Sequence, residues 1–280
     1  MKALILGGDS LIGKALKDAL GQDCLYTSRK LEKNCLFFDL INPNFTVFQP
    51  YLKDLDIVYF TAAVTKIAEC QQDSQKSLVV NVENTINAIE YFTSFGIYCV
   101  FLSTTEVFSI SSPSFCEHSK TYPSSIYGQQ KYQVEDYIRT SSRNHACIIR
   151  MNKIWGGKSS IFFTWYASIL KRLKPLVYGE KRVAPISLST AVRYLISIRQ
   201  SKPLGVLHLT TDHDVSYAYL AKYFTDLTNL VAFPEGFDWA SSETYSANSV
   251  VFLCSSRSGS KVCAVDQELD KIKRDFSEFL

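Results

Sequence analysis

The chain has 280 residues, 46% of them hydrophobic, which is enough to bury one large core or a core with a smaller lobe. Its formal net charge is +3 and the charges are spread along the chain, so the composition excludes the basic patch of a nucleic-acid-binding protein. No apolar run reaches the roughly 18 residues of a membrane-spanning helix, and the N-terminus enters a strand pattern without a signal-peptide pattern. We therefore expect a soluble, cytoplasmic protein with neither a nucleic-acid nor a membrane partner.

The first predicted element is an apolar strand at residues 2–6, which ends in the turn Gly7-Gly8-Asp9-Ser10-Leu11-Ile12-Gly13. Apolar residues then recur at helical spacing through residue 20, so the order is strand, tight turn, helix. In that arrangement glycines let the backbone approach a pyrophosphate, which binds the free amides at the helix N-terminus. Ser10 stands where the usual fingerprint has its middle glycine.

Further along the chain, short β-rich runs alternate with helical patterns. Strands are predicted at residues 24–27, 35–38, 57–60, 98–102, 147–150 and 206–209, and helices at 11–20, 75–95, 125–142 and 189–199. Such alternation predicts an α/β fold, a Rossmann-type doubly wound parallel sheet with helices on both faces. Ligands of such sheets bind at the carboxyl ends of the strands.

The pattern changes after residue 150. We predict a dinucleotide-binding Rossmann domain at residues 1–150, and at 151–280 a region that is mainly a smaller, C-terminal substrate-binding lobe interleaved with the sheet. Residues 109–125 are rich in serine and proline and read as a long loop over the site.

Tyr127 and Lys131 lie four residues apart in the predicted helix 125–142, so they share one helical face. A neighbouring ammonium stabilises a phenolate and lowers the pKa of the phenol from its usual value near ~10. The pair is therefore a candidate general acid for reduction of a ketone.

The cysteines and histidines do not suggest a metal site. The eight cysteines are scattered without a C-x-x-C pair, and the four histidines show no paired spacing. We expect buried thiols in a reducing compartment and no metal.

Several of these features occur in the order seen in the extended short-chain dehydrogenase/reductases, which this sequence resembles over nearly its whole length. The landmarks are Gly7 to Gly13, Asp39-Leu40, Thr61-Ala62-Ala63, Asn81, Ser103-Thr104, and Tyr127 with Lys131. The short chain and the string at residues 103–108 resemble the nucleotide-sugar 4-ketoreductase branch, the dTDP-4-dehydrorhamnose reductase-like proteins. Departures are Ser10, Thr105 in place of the usual Asp, and a weak motif at 246–254.

The resemblance implies reduction of the C4 ketone of a nucleotide-linked 4-keto-6-deoxy sugar to a deoxyhexose, with NAD(P)H. The implied catalytic residues are Thr104, Tyr127, Lys131 and Asn81, the last through a water relay. The implied cofactor-binding residues are Gly7, Asp9, Ser10, Leu11, Ile12, Gly13, Ser28, Arg29, Asp39, Leu40, Thr61, Ala62, Ala63, Ser103, Tyr127 and Lys131. Implied substrate-binding residues are Thr105, Glu106, Lys153, Trp155 and Arg182. The family also commonly forms homodimers through the helices that carry the Tyr/Lys pair, here by a face with Tyr132, Val134, Tyr137 and Ile138.

The second strand ends in Thr27-Ser28-Arg29-Lys30 rather than in an acidic residue. An acid there grips the ribose hydroxyls of NAD, whereas hydroxyls followed by two cations suit the 2′-phosphate of NADP. We therefore expect NADP(H), with NAD(H) as the alternative.

Other functions stay open on this fold. A nucleotide-sugar epimerase would use the same carbonyl chemistry. A 4,6-dehydratase would keep Glu106 as base but would lack its acid, because Thr105 is a poor proton donor. A non-catalytic, cofactor-binding regulatory subunit is a third reading, although such a protein would not need Tyr127 and Lys131.

Overall fold

The computed structural model describes residues 1–30, 35–108, 114–141, 145–177, 182–227, 240–241, 253–255, 257 and 259–277. The strands are β1 (Lys2–Leu6), β2 (Cys24–Ser28), β3 (Leu36–Phe37), β4 (Leu55–Phe60), β5 (Tyr98–Thr104), β6 (Ala146–Met151), β7 (Ile154–Trp155), β8 (Leu176–Val177), β9 (Arg182–Val183), β10 (Ile186–Ser187), β11 (Gly205–Thr211), β12 (Val215–Ser216), β13 (Ala240–Ser241) and β14 (Lys261–Cys263). The α-helices are α1 (Leu11–Leu20), α2 (Ile67–Gln72), α3 (Ser74–Leu78), α4 (Asn84–Ser94), α5 (Ile126–Thr140), α6 (Ile161–Leu170), α7 (Leu188–Ser201), α8 (Tyr217–Leu227) and α9 (Val265–Ser277).

Eight strands form one parallel sheet in the order β14-β11-β6-β5-β4-β1-β2-β3. The chain starts in the middle at β1, winds outward to β2 and β3, then returns to β4 on the other side. The strand order therefore reverses between β1 and β4, which is where open α/β sheets bind their ligands, outside the carboxyl ends of the strands. The predicted doubly wound Rossmann-type sheet is confirmed.

Alternating side chains of the sheet enter two apolar cores. Ala3 and Ile5 of β1 pack on one face with residues of α1 and α7, while Leu4 and Leu6 pack on the other with residues of α4 and α5. All four of these β1 side chains are buried, as expected for a central parallel strand covered on both faces.

A third apolar cluster lies outside these two layers. It joins α6, α8 and α9 around Trp155, Phe162 and Trp165, which are at most 1% exposed. The residues after 150 also return β11 and β14 to the large sheet. The division of the chain at residue 150 remains a prediction.

The predicted elements agree with the structure in type, with shifted ends. The largest difference is in the predicted helix 75–95, which is interrupted by a π-helical turn, Val79–Glu83, between α3 and α4. Of the predicted loop 109–125, residues 109–113 lie outside the described residues. Within the rest, Phe115 bridges to Leu253. The weak motif at 246–254 falls mostly outside them.

Three cysteines do not fit the expectation of scattered buried thiols. Cys116 and Cys254 form a disulfide across 138 residues of sequence, and Cys35 is only half-buried. Sequence spacing could not reveal that pairing, because the two cysteines are 138 residues apart and only the tertiary fold brings them together. Among the described residues, no helix combines the length and the apolar character needed to cross a membrane.

Candidate active site

The glycine turn between β1 and α1 forms a cradle at the reversal point of the sheet. Gly7 has a φ of +98°, and a Cβ there would lie 2.6 Å from the backbone nitrogen of Ala62, so only glycine fits. The Gly7 amide donates to the Thr27 hydroxyl at 2.9 Å, and the Thr61 hydroxyl donates to the Gly7 carbonyl at 2.9 Å. The turn is thus held from the strands on both sides.

Ser10 caps α1 in place of the missing middle glycine. Its hydroxyl oxygen accepts from the Gly13 amide at 2.9 Å, whereas the amides of Leu11 and Ile12 in the first turn have no carbonyl within the helix. Free amides at a helix N-terminus beside a backbone without a Cβ fit the pyrophosphate of a dinucleotide. A Cβ on Gly13 would lie 2.2 Å from the Gly7 carbonyl oxygen, so this glycine keeps the helix close to the turn.

The end of β2 carries an arrangement that sequence reading missed. The Ser28 hydroxyl donates to the Asp9 carboxylate at 2.6 Å and accepts from the Lys30 amide at 2.9 Å. Ser28 is 3% exposed, while Asp9 and Arg29 are exposed. A carboxylate from the glycine turn therefore lies against the strand end that has no acidic residue of its own.

The next predicted cofactor-binding residues, at 39–40 and 61–63, lie at the same edge of the sheet. Ala62 and Ala63 are half-buried after β4. Asp39 forms a local turn, because its carboxylate accepts from the Ile41 amide at 2.9 Å. The side chain of Leu40 is 5% exposed and packs in a core, so only its backbone is left to contact a cofactor, and its assignment to the cofactor site stays a prediction.

The start of α5 holds Tyr127 against the segment that follows β5. Ser125 caps the helix by accepting from the Gly128 amide at 3.1 Å, and its hydroxyl donates to the Glu106 carboxylate at 3.2 Å. A Cβ at Gly128 would lie 2.1 Å from the Glu106 carbonyl oxygen, so glycine after Tyr127 allows this close approach. The N-cap serine is the signal that locates the helix start in the sequence.

Lys131 lies one turn further along α5 and is almost fully buried, at 4% exposure. Its ammonium donates to the Leu102 carbonyl at 3.0 Å and lies 4.6 Å from the centre of the Phe101 ring. Its distance to the centre of the Tyr127 ring is 5.8 Å. The two side chains therefore lie on the same face of the helix, as the spacing indicates.

The electrostatics of the pair differ from the sequence expectation. Burial, followed by the charges of Cys70 and Glu106, raises the pKa of Tyr127 instead of lowering it. Burial lowers the pKa of Lys131 to about 8, against the opposing effect of Glu135. Desolvation is the largest cause of both pKa shifts, because burial disfavours the charged form: the phenolate of Tyr127 and the ammonium of Lys131. Tyr127 is therefore protonated at neutral pH.

Asn81 joins three elements beside the pair. Its side-chain oxygen accepts from the Val64 amide at 2.8 Å, and its side-chain nitrogen donates to the Val64 carbonyl at 3.0 Å and to the Gln130 side chain at 2.8 Å. Gln130 in turn donates to the Ser77 hydroxyl at 2.8 Å. These bonds use the amide of Asn81 to hold the π turn against α5. Its part in a water relay stays a prediction.

Thr104 and Ser103 end β5 with different contacts. The Thr104 hydroxyl oxygen accepts from the Glu106 amide at 3.2 Å, which leaves its own proton to donate. The Ser103 hydroxyl donates to Glu135 at 2.6 Å inside the protein. The side chain of Ser103 is engaged by this bond, and its assignment to the cofactor site stays a prediction.

Beneath α5 lies a buried ion pair that sequence reading also missed. Arg150 and Glu135 are both 0% exposed, with Nη2 of the arginine 2.6 Å from a carboxylate oxygen. Arg150 also donates to the Glu117 carbonyl at 3.2 Å, and its guanidinium lies 4.8 Å from the Phe108 ring. Because Glu135 is also a hydrogen-bond acceptor from Ser103, the pair ties β5, β6 and α5 together.

His208 extends this polar layer. It pairs in register with Arg150, and its Nδ1 is 2.8 Å from the Cys254 carbonyl oxygen. Its Nε2 is buried without a hydrogen-bond partner, and burial lowers the pKa of His208 to about 4. The ring is therefore neutral at pH 7.

The predicted substrate residues separate into two groups. Thr105 and Glu106 are half-buried next to Tyr127, in the 3-10 turn Thr105–Val107. Lys153 is exposed, and Arg182 binds the Asp214 carboxylate at 2.9 Å with its side chain 44% exposed. Trp155 is 1% exposed within the third apolar cluster, and its assignment to substrate binding stays a prediction.

The helix face suggested for a homodimer packs in part within the subunit. Val134 is fully buried, and Tyr137 and Ile138 pack against the same core as the sheet. Tyr132 packs against a small cluster around Phe108. Tyr132, Tyr137 and Ile138 are half-buried, so part of this face stays at the surface, and the homodimer stays a prediction.

Comparisons with known proteins agree with this architecture. Residues 1–245 match the family model of the RmlD substrate binding domain. A dTDP-4-dehydrorhamnose reductase of Sinorhizobium fredii is 24% identical over 177 residues, which cover 60% of this chain and 60% of that protein's length.

Two solved structures share the fold. The dTDP-4-dehydrorhamnose reductase from Bacillus anthracis str. Ames in complex with NADP has a TM-score of 0.80 and 19% identity, with 100% of both chains covered. A UDP-glucose 4-epimerase with UDP-glucose from Thermotoga maritima has a TM-score of 0.79 and 15% identity, covering 100% of this chain and 99% of that one. The family model spans most of the sequence, from the glycine turn to beyond the Tyr127 and Lys131 helix, so the chain belongs to the RmlD substrate-binding family of the extended short-chain dehydrogenase/reductases.

Proposed function

We propose that this protein reduces the C4 ketone of a nucleotide-linked 4-keto-6-deoxy sugar to a deoxyhexose, using a nicotinamide dinucleotide. The observation that carries the proposal is the close packing of α5 through Gly128 onto Glu106, whose own amide donates to the Thr104 hydroxyl. The helix that carries Tyr127 and Lys131 is thus packed on the same turn that holds Thr104. The related reductases, one of them solved with NADP, support the substrate class and the type of cofactor.

The residues divide the work as follows. The turn at Gly7 and the first amides of α1 would hold the pyrophosphate of a nicotinamide dinucleotide, which, when bound, would supply the hydride for the ketone carbon. The Tyr127 hydroxyl gives its proton to the ketone oxygen, and Thr104 donates a hydrogen bond to the same oxygen. The Lys131 ammonium stabilises the phenolate that Tyr127 becomes.

We propose NADPH as the preferred reductant, with NADH as the alternative. Arg29 and Lys30 are exposed after β2, where cations favour a 2′-phosphate. Thr105, Glu106, Lys153 and Arg182 are the proposed contacts to the nucleotide sugar. We further propose that the protein acts in the cytoplasm as a homodimer.

Tyr127→Phe tests the proposal directly. The variant lacks only the hydroxyl that protonates the ketone, so it should bind NADPH nearly as well as the wild type while its turnover falls by at least ~100-fold. Nucleotide binding is followed by calorimetry and turnover by NADPH absorbance, with a panel of nucleotide-linked 4-keto sugars. An unchanged rate in the variant would overturn the role of Tyr127.

The same assay separates the alternatives. Net consumption of NADPH identifies a reductase, whereas product without consumption identifies an epimerase or a dehydratase. Dehydration is disfavoured because Thr105 stands where an acid is needed. Cofactor binding without turnover of any sugar would indicate a regulatory subunit.

A further inference from the structure

We propose that Asp9 is the residue that sets the cofactor selectivity of this protein, by opposing the 2′-phosphate that Arg29 and Lys30 attract. The inference rests on the proposed use of a nicotinamide dinucleotide. Its basis is the hydrogen bond from the Ser28 hydroxyl to the Asp9 carboxylate, at 2.6 Å, between the glycine turn and the end of β2.

In a doubly wound sheet, the adenosine ribose of a dinucleotide binds at the end of the second strand, where an acidic residue accepts from its 2′-hydroxyl. In this chain that strand ends at Ser28, which cannot serve as the acid. Asp9, 19 residues earlier, brings a carboxylate to the same place from the turn. The acidic group is therefore supplied by a different element.

The hydrogen bond from Ser28 holds the Asp9 carboxylate at the end of β2. The hydroxyl has one proton, which it gives to Asp9, and it accepts from the Lys30 amide at 2.9 Å. Ser28 consequently has no proton left for a phosphate oxygen. Because Ser28 is 3% exposed, its end of the bond to Asp9 is shielded from water, whereas Asp9 itself is exposed.

Opposing charges thus act on the same substituent of the ribose. The carboxylate of Asp9 accepts from a 2′-hydroxyl and repels a 2′-phosphate, whereas the exposed cations after β2 do the reverse. Removing the carboxylate of Asp9 should favour the cofactor with a 2′-phosphate, and removing a cation after β2 should favour the cofactor with a 2′-hydroxyl. A pocket with both admits both cofactors, with the balance set by Asp9.

The experiment measures binding of two fragments that carry no nicotinamide, ADP-ribose and 2′-phospho-ADP-ribose, by calorimetry on the full-length protein. In Asp9→Asn, which keeps an oxygen for the Ser28 hydroxyl, the ratio of the two dissociation constants should shift toward the phosphorylated fragment by ~10-fold or more. Arg29→Gln should shift the ratio the opposite way. The kcat/KM values for NADPH and NADH should change in parallel.

Asp18→Asn is the matched control. Asp18 is exposed on α1, eight residues beyond Ser10 or ~12 Å along the helix, so its loss changes the net charge equally without touching the turn. The inference is overturned if Asp9→Asn leaves the ratio within ~2-fold of the wild type, or shifts it no more than Asp18→Asn does.

The two proposals fail in different ways. If the fragments bind and the ratio responds to Asp9 but no keto sugar is reduced, the proposed reduction is wrong and the role of Asp9 holds. If sugars are reduced and the ratio does not respond, the role of Asp9 is wrong. Binding of neither fragment by the wild type would overturn both.

Discussion

The environment of Lys131 shows how burial decides the behaviour of a single residue. Sequence spacing placed this amine next to Tyr127, and that arrangement is present. The same spacing could not show that the ammonium lies over Phe101 and under the end of β5, where desolvation lowers its pKa to about 8. A pKa depends on what surrounds a group in three dimensions, and most of that comes from other elements.

This lowered pKa predicts a pH-dependent stability. Lys131 has a pKa near 10.5 in the unfolded chain and about 8 in the native state, so between these values the unfolded chain binds more protons. Its contribution to the free energy of unfolding therefore rises with pH across that window, by about 3 kcal/mol in total. Urea unfolding of wild type and Lys131→Met at pH 7.5 and 10.5 measures it.

The difference in stability, wild type minus Lys131→Met, should grow between the two pH values. Lys14→Met, at an exposed position of α1, controls for the loss of a surface lysine. A difference that stays constant with pH would mean that the burial of Lys131 does not govern its titration.

Trp155 and Leu40 show a further limit at the residue scale. Both were assigned to binding by resemblance, yet both are buried in apolar clusters. The sequence does not show whether an apolar side chain lines a pocket or lies in a core. Tyr127 and Thr104 differ because they carry hydroxyl groups, and Gly7 differs because it can adopt a positive φ.

At the scale of elements, the alternation of patterns predicted every strand of the large sheet except β14, and it predicted helices at α1, α4, α5 and α7. The interruption of the predicted helix 75–95 was not predictable. Its π turn coincides with the amide of Asn81, which turns inward to pair with the backbone of Val64 and the side chain of Gln130. Both partners are distant in sequence, so a local pattern cannot contain them. Extra-residue turns of this kind are frequent at functional sites.

The start of α5 gives a test at this scale. In Gly128→Ala, the added Cβ would meet the Glu106 carbonyl oxygen at 2.1 Å, so the helix must move away from β5 and carry Tyr127 with it. A displacement of about 1 Å in a catalytic group can cost ~100-fold in rate. We expect kcat to fall by about that factor, with a smaller change in NADPH affinity, both measured with the accepted keto sugar.

Gln129→Ala is the control for this substitution, because Gln129 is the next residue of the same helix and its side chain is exposed. It should retain nearly full turnover. Equal rates for Gly128→Ala and the wild type would show that the close approach of α5 to Glu106 is not required for positioning Tyr127.

For the whole molecule, the order of patterns indicated the fold class and the edge of the sheet where the site lies. The contacts between segments far apart in the sequence could not be predicted from that order. β11 and β14 join the sheet beside β6, and Cys116 pairs with Cys254, because segments far apart in sequence converge there. Composition and spacing contain no information on which distant segments meet.

The disulfide predicts a redox-dependent stability. Linking residues 138 apart restricts the unfolded chain and stabilises the native state by about 2–5 kcal/mol. Cys254→Ser should therefore unfold at a lower temperature than the wild type in oxidising buffer, and the two should converge when reductant is added, as followed by circular dichroism. Cys35→Ser, outside the disulfide, is the control. Identical curves under both conditions would contradict a stabilising role for this bond.

The buried pair of Glu135 and Arg150 has an evolutionary consequence. With either partner replaced alone, the other charge would be stranded without water, at a cost of about 3–5 kcal/mol, whereas an apolar pair of similar volume is often tolerated. Descendants of this sequence are therefore confined to keeping both residues or exchanging both together. Relatives in which one has drifted should show a compensating change at the other, and the two positions should be inherited as a unit.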